Sequence, residues 1–543
     1  MKNKHIYIWL PLIIGVCIAV GVFIGNKFSL HSSIQIYRAS DKLSTIFDYI
    51  DKAYVDSVNV NDLVEETIPS LISQLDPHST YIPAEEMALT GDELDGHFSG
   101  IGVEFLIQND TIAIVNVIQG GPSEAVGISP GDRVVYVNDS LFVGEGLNNT
   151  KAFKHLRGPK DSQVKLGIKR NTSDTIMAFT VTRADVPVKS LDAAYEIKKG
   201  IGYIKISRFG GTTYNEFITA LAKLKKGGCK SFIIDLQQNG GGYLNAAVLM
   251  TNEFLAKDQL IVYTKGRTYA GEEVVADGSG SCQNDQIVVL IDEGSASASE
   301  IFSGALQDHD RGLIMGRRSF GKGLVQNQHV FKDGSALRLT VARYHTPSGR
   351  CIQKAYENGK GSEYGQDLVN RYLRGEMDNQ DSIKVDNLPL FETTSGRPVY
   401  GNDGIMPDIF VPRDTIGINS YYISLSNSGS IREFSFNYAD THRSELKKFQ
   451  TWQEARQYLS AQPLAYQLAN YAVTKGVRKR PILLEECRNI LQMQLEAIII
   501  RNLFSDEGFY SILNDGDVLV KKAVEHIEKG KATPDAIAKQ MYK

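Results

Sequence analysis

The sequence has few cysteines, little net charge and no repeats, and each shortage narrows the classes of protein that it can encode. Five cysteines in 543 residues do not indicate a disulfide framework and match no metal-site pattern, with a single incidental bridge as the alternative. The formal net charge of −4 provides no strong attraction toward nucleic acid. No low-complexity run or phosphate-binding loop is present. The length predicts several domains instead of one core.

The N-terminus carries a mostly apolar, uncharged stretch at residues 6–25, with lysines before and after it. Its length is about that needed to span a bilayer. A cleaved signal peptide is the alternative, but no clear Ala-x-Ala site follows, and the residues before Cys17 match a lipoprotein site poorly. We therefore expect residues 1–28 to form an uncleaved signal anchor. This single-pass transmembrane helix would lie in the inner membrane of a bacterium, with the catalytic part in the periplasm or otherwise outside the cytoplasm.

The stretch from Gln286 to Gln326 is the most informative part of the chain. Ile287–Ile291 is a short apolar run that predicts a buried strand, and apolar residues at helical spacing follow a Gly/Ser/Ala segment. A helix therefore starts among the serines of this segment, which are Ser295, Ser297, Ser299 and Ser303. The first turn of a helix has unpaired N–H groups that can hold a developing oxyanion. The residues alone leave two interpretations open: a catalytic serine, or serines that only cap the helix.

The same stretch resembles the carboxyl-terminal processing peptidases, also called tail-specific proteases. The resemblance rests on the string SASASEI, on GAL followed by D and R, and on FGKG-x-VQ in the loop Gly316–Gly323 and just after it. It implies a serine endopeptidase in which Ser297 is the nucleophile, Lys322 the general base and Gln326 the supporting third residue.

A serine–lysine pair makes a specific demand on the lysine. A serine hydroxyl attacks an amide only if a base takes its proton. The reference pKa of lysine is about 10.4, so the pKa of Lys322 must fall by roughly three, a bias of on the order of 4 kcal/mol. Burial can supply that bias, and Gln326 can accept a hydrogen bond from the amine without adding charge. A Ser-His-Asp triad stays open, although His309 and His345, the nearest histidines, fit surface or turn positions better.

Residues 184–413 are predicted to be an α/β core. Strands are expected at residues 202–206 and 231–236, a helix at residues 214–224, and another helix at about residues 244–255.

The turn Gln237–Gly242 resembles the family element DLR-x-NPGG. Gly240 stands where proline is usual, and Gln237 stands where arginine is usual. The resemblance implies an oxyanion hole formed by the N–H of Ala298 and that of Gly241 or Gly242. A plain strand-to-helix turn is the alternative interpretation.

Residues 91–183 contain short β-like runs broken by glycine and proline. The pieces FSGIGVEF, GGPSEAVGISPGDRVVYVN and LRGPKDSQVKLGIKR together resemble a PDZ domain. Its carboxylate-binding loop corresponds to Gly100, Ile101, Gly102 and Val103, since successive N–H groups can cradle a chain-terminal carboxylate. The ligand then adds as an extra strand on a sheet edge. A GIGV sequence alone is also typical of a hairpin turn.

Helical periodicity flanks these domains on both sides. Residues 34–90 predict a helical segment that ends in LDPHSTYIPAEE, which resembles the family element LDPHS-x-Y. His78 in this element is interpreted as structural, because the neighbouring residues mark a turn. Residues 414–543 are largely helix-patterned, most clearly at Leu483–Phe504, and are interpreted as a substrate-contacting or dimer-forming appendage.

Together these features predict a multi-domain α/β and α+β protein, with a crotonase-like protease core, an inserted PDZ domain, a transmembrane helix and helical terminal segments. We expect it to cleave exported proteins near or from their C-termini, without a metal or an organic cofactor. Expected partners are protein or peptide substrates with free, apolar C-termini and the inner membrane, but not nucleic acid. Self-association and an activating adaptor both stay open.

Two other classes of protein compete with the protease. One is a non-catalytic PDZ scaffold or chaperone, which the intact set of serine, lysine and glutamine disfavours. The other is an acyl-CoA enzyme of crotonase type, which the PDZ domain, the export anchor and the serine–lysine pair disfavour.

Overall fold

The structure, a computed structural model, describes residues 14–21, 39–90, 96–118, 120–170 and 173–532. It divides the chain into two units, residues 1–71 and residues 72–543. The helices that begin in the first unit span residues 14–21, Ala39–Ala53 (α1) and Val60–Ile72 (α2).

The predicted signal anchor lies mostly outside the described residues. Residues 14–21 of the apolar stretch are helical, whereas residues 6–13 and 22–25 are not described. Within the described part of the chain, no helix combines the length and the apolar character that crossing a bilayer requires. The anchor therefore stays a prediction.

The second unit begins with β1 (Thr80–Ile82) and α3 (Ala84–Thr90). An inserted domain follows, at residues 96–187. Its elements are β2 (His97–Gly100), β3 (Val103–Gln108), β4 (Thr111–Val117), α4 (Pro122–Ala125), β5 (Arg133–Val137), β6 (Ser140–Leu141), α5 (Asn149–Leu156), β7 (Gln163–Lys169), β8 (Ile176–Thr182) and β9 (Ala184–Pro187).

The inserted domain is built on an antiparallel sheet with the strand order β3-β4-β5-β7-β8. Along β7 the side chains of Val164, Leu166 and Ile168 are buried and the intervening ones are more exposed, the alternation of a sheet with one solvated face. Strand β3 forms one edge of this sheet. Strands β2 and β9 pair with each other, so the chain enters and leaves the domain at the same place.

The core occupies residues 191–410. Its elements are β10 (Leu191–Lys198), β11 (Ile201–Ile206), α6 (Thr213–Lys226), β12 (Ser231–Asp235), α7 (Leu244–Asn252), β13 (Leu260–Lys265), β14 (Glu273–Val275), β15 (Gln286–Ile291), α8 (Ala298–Asp308), β16 (Leu313–Gly316), β17 (Leu324–Val330), β18 (Ala336–His345), α9 (Gly361–Leu373), a 3₁₀ turn (Gln380–Ser382), β19 (Leu390–Glu392), β20 (Pro398–Tyr400) and β21 (Ile409–Phe410).

Two sheets organise the core. The first has the order β10-β11-β12-β15-β16-β21 and is parallel except for the β10–β11 pair. Ile287–Ile291 is buried throughout, as expected for a strand covered on both faces. The second sheet is antiparallel, with the order β1-β18-β13-β14 and with β17 also paired to β18.

Strand β1 corrects our expectation of a helical segment over residues 34–90. Thr80–Ile82 is extended and pairs with β18, with Tyr81 opposite Leu337. A strand of three residues carries almost no periodicity, and its partner lies far along the chain, so hydrophobic patterning could not reveal the pair.

A helical bundle follows the core. Its helices are α10 (Ser420–Asn427), α11 (Ser430–Thr441), α12 (Arg443–Leu446), α13 (Trp452–Ser460), α14 (Leu464–Val473), α15 (Pro481–Leu503), α16 (Asp506–Asn514) and α17 (Val518–Glu528). Leu491 and Leu495 of α15 are fully buried in the apolar centre of the bundle. Helix α17 instead packs on the first core sheet, where Leu519 and Ala523 join the cluster that includes Val288.

The bundle also contacts the inserted domain. The side-chain amide of Gln108 on β3 donates to Asn437 on α11 at 3.1 Å. Arg133 on β5 lies 3.8 Å from Asp440 of the same helix. The residues after the core therefore touch both the core and the inserted domain.

Candidate active site

Ser297 lies at a strained turn between β15 and α8. Its backbone angles are φ 55° and ψ −112°, a conformation that costs a non-glycine residue on the order of 1–3 kcal/mol. Such strain persists where the surroundings over-determine it, and it is concentrated at functional sites. The turn presents Ser297 at the N-cap of α8, where the dipole of the helix favours negative charge.

Hydrogen bonding separates the four serines of this segment. The hydroxyls of Ser295, Ser299 and Ser303 are buried and donate to the backbone carbonyls of Leu236, Asn239 and Ser299, respectively, at 2.8–2.9 Å. Ser297 is partly exposed, and its hydroxyl donates to no acceptor among the described residues. The geometry thus favours Ser297, which spacing alone could not select.

Glu300 ties the serine turn to the lysine loop. Its carboxylate is fully buried, and its Oε2 atom accepts from the backbone N–H of Ser297 at 2.7 Å and of Lys322 at 2.9 Å. Its Oε1 atom accepts from the N–H of Gly321 at 2.7 Å and from the hydroxyl of Ser319. Burial raises the pKa of Glu300, and these four hydrogen bonds oppose that effect. One carboxylate therefore sets the spacing between the two backbones.

Sequence reasoning missed Glu300, although a signal was present. Ser297 and Glu300 have the S-x-x-E spacing of a capping box, in which the glutamate reaches back to the N-cap N–H. The second role of Glu300, toward Lys322, depends on a contact across 22 positions of the chain.

Lys322 lies half-buried in the loop just before β17, and its amine donates to Gln326 Oε1 at 3.2 Å. Burial lowers the pKa of Lys322 from its ordinary value, and the positive charge of Arg338 lowers it further. This is the direction that a general base near neutral pH requires. No hydrogen bond joins Ser297 Oγ and Lys322 Nζ among the described residues; catalytic hydrogen bonds often tighten only when substrate is bound.

Gln326 is oriented by two features. The register of β17 against β18 shifts between Val325 and Gln326, and a bulge of this kind re-aims a side chain. The Nε2 atom of Gln326 donates to the carbonyl oxygen of His78, which leaves Oε1 to face the amine of Lys322.

His78 thus contributes its carbonyl to the site, and its ring lies in the same neighbourhood. The ring Nε2 atom is 2.9 Å from the hydroxyl of Tyr364. Burial, followed by the charge of Lys322, lowers the pKa of His78 from 6.5 to about 4. His309 and His345 hydrogen-bond to the backbone carbonyls of Leu260 and Gly349, respectively, and neither contacts Ser297.

The glycine turn lies directly against Ser297. A Cβ atom built on Gly241 would lie 2.8 Å from the Cβ of Ser297 and 2.9 Å from the nitrogen of Ala298. The N–H of Gly241 already donates to Asn239 Oδ1 at 2.9 Å. Among the described residues, the N–H groups of Gly242 and Ala298 have no acceptor. The expectation named Gly241 or Gly242, and of the two the N–H of Gly242 is the one without an acceptor among the described residues.

Gln237 stands where the family pattern has arginine, and a lysine on the neighbouring strand supplies a positive charge at this place. Lys205 on β11 lies 3.0 Å from the buried Asp235 and also donates to the carbonyl of Gln237 at 2.7 Å. The side chain of Gln237 itself donates to Asp235 at 3.3 Å. A cation from the neighbouring strand therefore balances the carboxylate at the end of β12.

The predicted carboxylate-binding loop joins β2 to β3. Gly102 has φ 74°, and its carbonyl accepts from the N–H of Ile118 at 3.0 Å. Ile101 is buried at 2% exposure, and its carbonyl accepts from Ser123 at 3.0 Å. These bonds fix the loop through its carbonyl groups, at the beginning of edge strand β3.

Comparisons with known proteins identify the family. Residues 200–359 match the model of peptidase family S41, and residues 421–506 match a family of unknown function. A probable CtpA-like serine protease of Staphylococcus haemolyticus is 30% identical over 442 residues, which are 81% of this chain and 82% of the relative. A carboxy-terminal-processing protease of Bartonella bacilliformis is 33% identical over 337 residues, 61% of this chain and 76% of the relative. The solved photosystem II D1 C-terminal processing protease is similar at a TM-score of 0.33 and 27% identity, covering 56% of this chain and 88% of that one.

These matches define the chain as a serine-type peptidase that acts on protein substrates. It belongs to peptidase family S41, together with the CtpA-like and carboxy-terminal-processing proteases.

Proposed function

We propose that the chain is an endopeptidase that cleaves exported proteins near or from their C-termini through Ser297 and Lys322. The observation that carries this proposal is the partly exposed Ser297 on a strained turn, tied through Glu300 to the loop that presents Lys322. The other three serines of the segment are buried, and their hydroxyls donate to backbone carbonyls.

The mechanism follows from the groups at the site. Lys322, whose pKa is lowered by burial, acts in its neutral form and takes the proton of Ser297 as Oγ attacks the substrate carbonyl. The N–H groups of Ala298 and Gly242 stabilise the oxyanion. Lys322 then gives the proton to the leaving amine, and water hydrolyses the acyl-enzyme. Gln326 holds the amine in place without adding a negative charge that would keep it protonated.

The inserted domain supplies substrate capture in this proposal. It acts as a PDZ domain, in which Gly100–Val103 receives the terminal carboxylate and the peptide adds as a strand beside β3. The edge position of β3 supports this, because its unpaired backbone groups face outward. The predicted N-terminal anchor would hold the enzyme at the inner membrane, on the side where exported substrates arrive.

The test uses the full-length chain in detergent and an unfolded protein that ends in an apolar tail. The parent and the Ser295→Ala and Ser299→Ala variants should cleave it, and the Ser297→Ala and Lys322→Ala variants should not. Cleavage by Ser297→Ala would move the nucleophile elsewhere. A parent that binds the tail without cutting would instead favour the scaffold class.

Substrate capture has a separate test. Amidation of the substrate C-terminus should slow cleavage by the parent, whereas a variant with the Gly100–Val103 loop disrupted should treat free and amidated substrates alike. Equal rates for both substrates in the parent would contradict carboxylate capture.

A further inference from the structure

A pocket of 620 Å³ lies on the antiparallel core sheet and is strongly basic. Its walls come from the ends of β13 and β18 and from residues 351–356. The basic residues that line it are Lys265, Arg267, Arg343, His345 and Lys354, and no acidic residue does.

The pocket adjoins the loop that carries Lys322. The backbone N–H of Lys354 donates to the carbonyl of Gly321 at 3.0 Å. The side chain of Gln353 accepts from the N–H of Gly323 at 2.9 Å. Two residues of the pocket wall therefore hold the two glycines that flank the proposed base, so a group bound in the pocket lies beside the catalytic loop.

Two of its cations are placed against each other. Lys265 and Arg343 are directly opposite in the β13–β18 pair, an arrangement of like charges that destabilises a sheet. Both are exposed, as is Arg267. Among the described residues none of the three pairs with a carboxylate, including Glu273, which lies on the neighbouring strand β14. The repulsion is thus left uncompensated within the described chain.

The other two basic residues of the pocket, Lys354 and His345, contribute less unpaired positive charge. Lys354 is paired with Asp367 at 2.8 Å. Burial lowers the pKa of His345, and the charges of Lys265 and Arg343 contribute to that shift. The unbalanced positive charge of the pocket therefore belongs to Lys265, Arg267 and Arg343.

We propose that this pocket binds a carboxylate of the substrate peptide, through Lys265 and Arg343 with Arg267 at its rim. A guanidinium matches a carboxylate in a planar, two-bond geometry, and an anion between the two opposed cations removes their repulsion. The inference rests on the proposed function, because the position beside Lys322 is what makes a peptide the ligand. The carboxylate belongs either to an acidic side chain or to the chain terminus.

The test compares short capped peptides that differ only in one glutamate or glutamine, moved stepwise along the sequence. At one position the parent should prefer glutamate by about tenfold in kcat/KM, the size of one charge-assisted contact. The Lys265→Gln/Arg343→Gln variant should lose the preference and cleave the glutamine peptide as the parent does. High ionic strength should weaken the preference in the parent.

The control is the Lys223→Gln/Lys226→Gln variant, which makes the same change in net charge at the exposed end of α6. It should keep the preference. The two sources of the carboxylate are separated by glutamine peptides with a free or an amidated C-terminus. If the Arg343-dependent preference is found only for peptides with a free C-terminus, the pocket binds the terminal carboxylate. If it is found only for peptides with an internal glutamate, the pocket binds an acidic side chain.

Cleavage without any carboxylate preference, or a loss that is equal for both peptides of a pair, would overturn the inference. Failure of the proposed function is distinguishable, because peptide binding is also measured by fluorescence anisotropy on the Ser297→Ala variant. If no peptide is cleaved but the glutamate peptide binds in a way that depends on Arg343, the carboxylate-binding pocket is supported and the proposed endopeptidase activity is contradicted. Absence of such binding overturns the pocket.

Discussion

Replacing Glu300 by glutamine should test whether one buried carboxylate sets the geometry of the site. The carboxylate accepts four hydrogen bonds, two at each oxygen, from Ser297, Ser319, Gly321 and Lys322. Glutamine keeps one acceptor oxygen and presents an NH₂ group to the remaining two donors.

The magnitude follows from the two donors that are left without an acceptor. Each buried donor without a partner costs about 1–3 kcal/mol, so Glu300→Gln should lose about 2–6 kcal/mol of stability. Displacement of the Ser297 and Lys322 backbones by about 1 Å should lower kcat by about a hundredfold. Urea unfolding and peptide-cleavage kinetics on the same preparation measure the two effects.

Glu293→Gln is the matched control. Glu293 lies in the same segment and pairs with Arg317 at 2.7 Å, and no described contact joins it to Ser297 or Lys322. It should lose stability but keep kcat within about threefold, because its loss does not displace the reacting groups. Unchanged kcat in Glu300→Gln, or an equal fall of kcat in Glu293→Gln, would refute the reasoning.

Three further predictions concern other contacts. As the pH falls from 6.5 toward 4, His78 binds a proton in the unfolded chain but not in the folded one, so the free energy of unfolding should fall by about 3 kcal/mol. Denaturant titrations at several pH values measure this fall, and the His78→Gln variant should lack it. A variant with the same pH dependence as the parent would contradict the prediction. Lys322→Met should raise the pKa of His78 above about 4 but keep it below 6.5, because burial remains, as measured by NMR titration of the imidazole; no change would mean that the two groups are not neighbours. The double variant Asn437→Ala/Asp440→Ala should speed amide hydrogen exchange in the inserted domain by about thirtyfold while the core keeps its protection, since it removes two contacts of about 1 kcal/mol each. An equal change of exchange in both regions would show that the bundle does not restrain the domain.

Local patterns were enough to predict the strand-turn-helix that holds Ser297. Apolar Ile287–Ile291 predicted a strand, and Gln286–Ile291 is the strand; apolar spacing after the serines predicted a helix, which begins at Ala298. The pairing of Lys322 with Gln326 was implied by the family resemblance, and the two side chains do form a hydrogen bond.

Contacts between distant segments could not be predicted in this way. The choice of Ser297 depends on which hydroxyls are buried against backbone from other elements, and no spacing records that. The carbonyl of His78 reaches Gln326 across 248 positions. The N–H of Gly241 is used by Asn239 two residues earlier, a detail of loop geometry that a glycine-rich string leaves undetermined. The basic pocket likewise exists only because β13 and β18 pair.

The packing of α17 on the first core sheet has a consequence for synthesis. Val518–Glu528 covers apolar residues of β12, β15 and β16, and it is made more than a hundred residues after β21 closes the sheet. A nascent chain that has completed the serine turn and the lysine loop still exposes one apolar face of its sheet. Domains fold as units once their parts have emerged. We therefore expect the core sheet to be fully covered only after α17 has left the ribosome, and we expect a product truncated before Val518 to expose this apolar face.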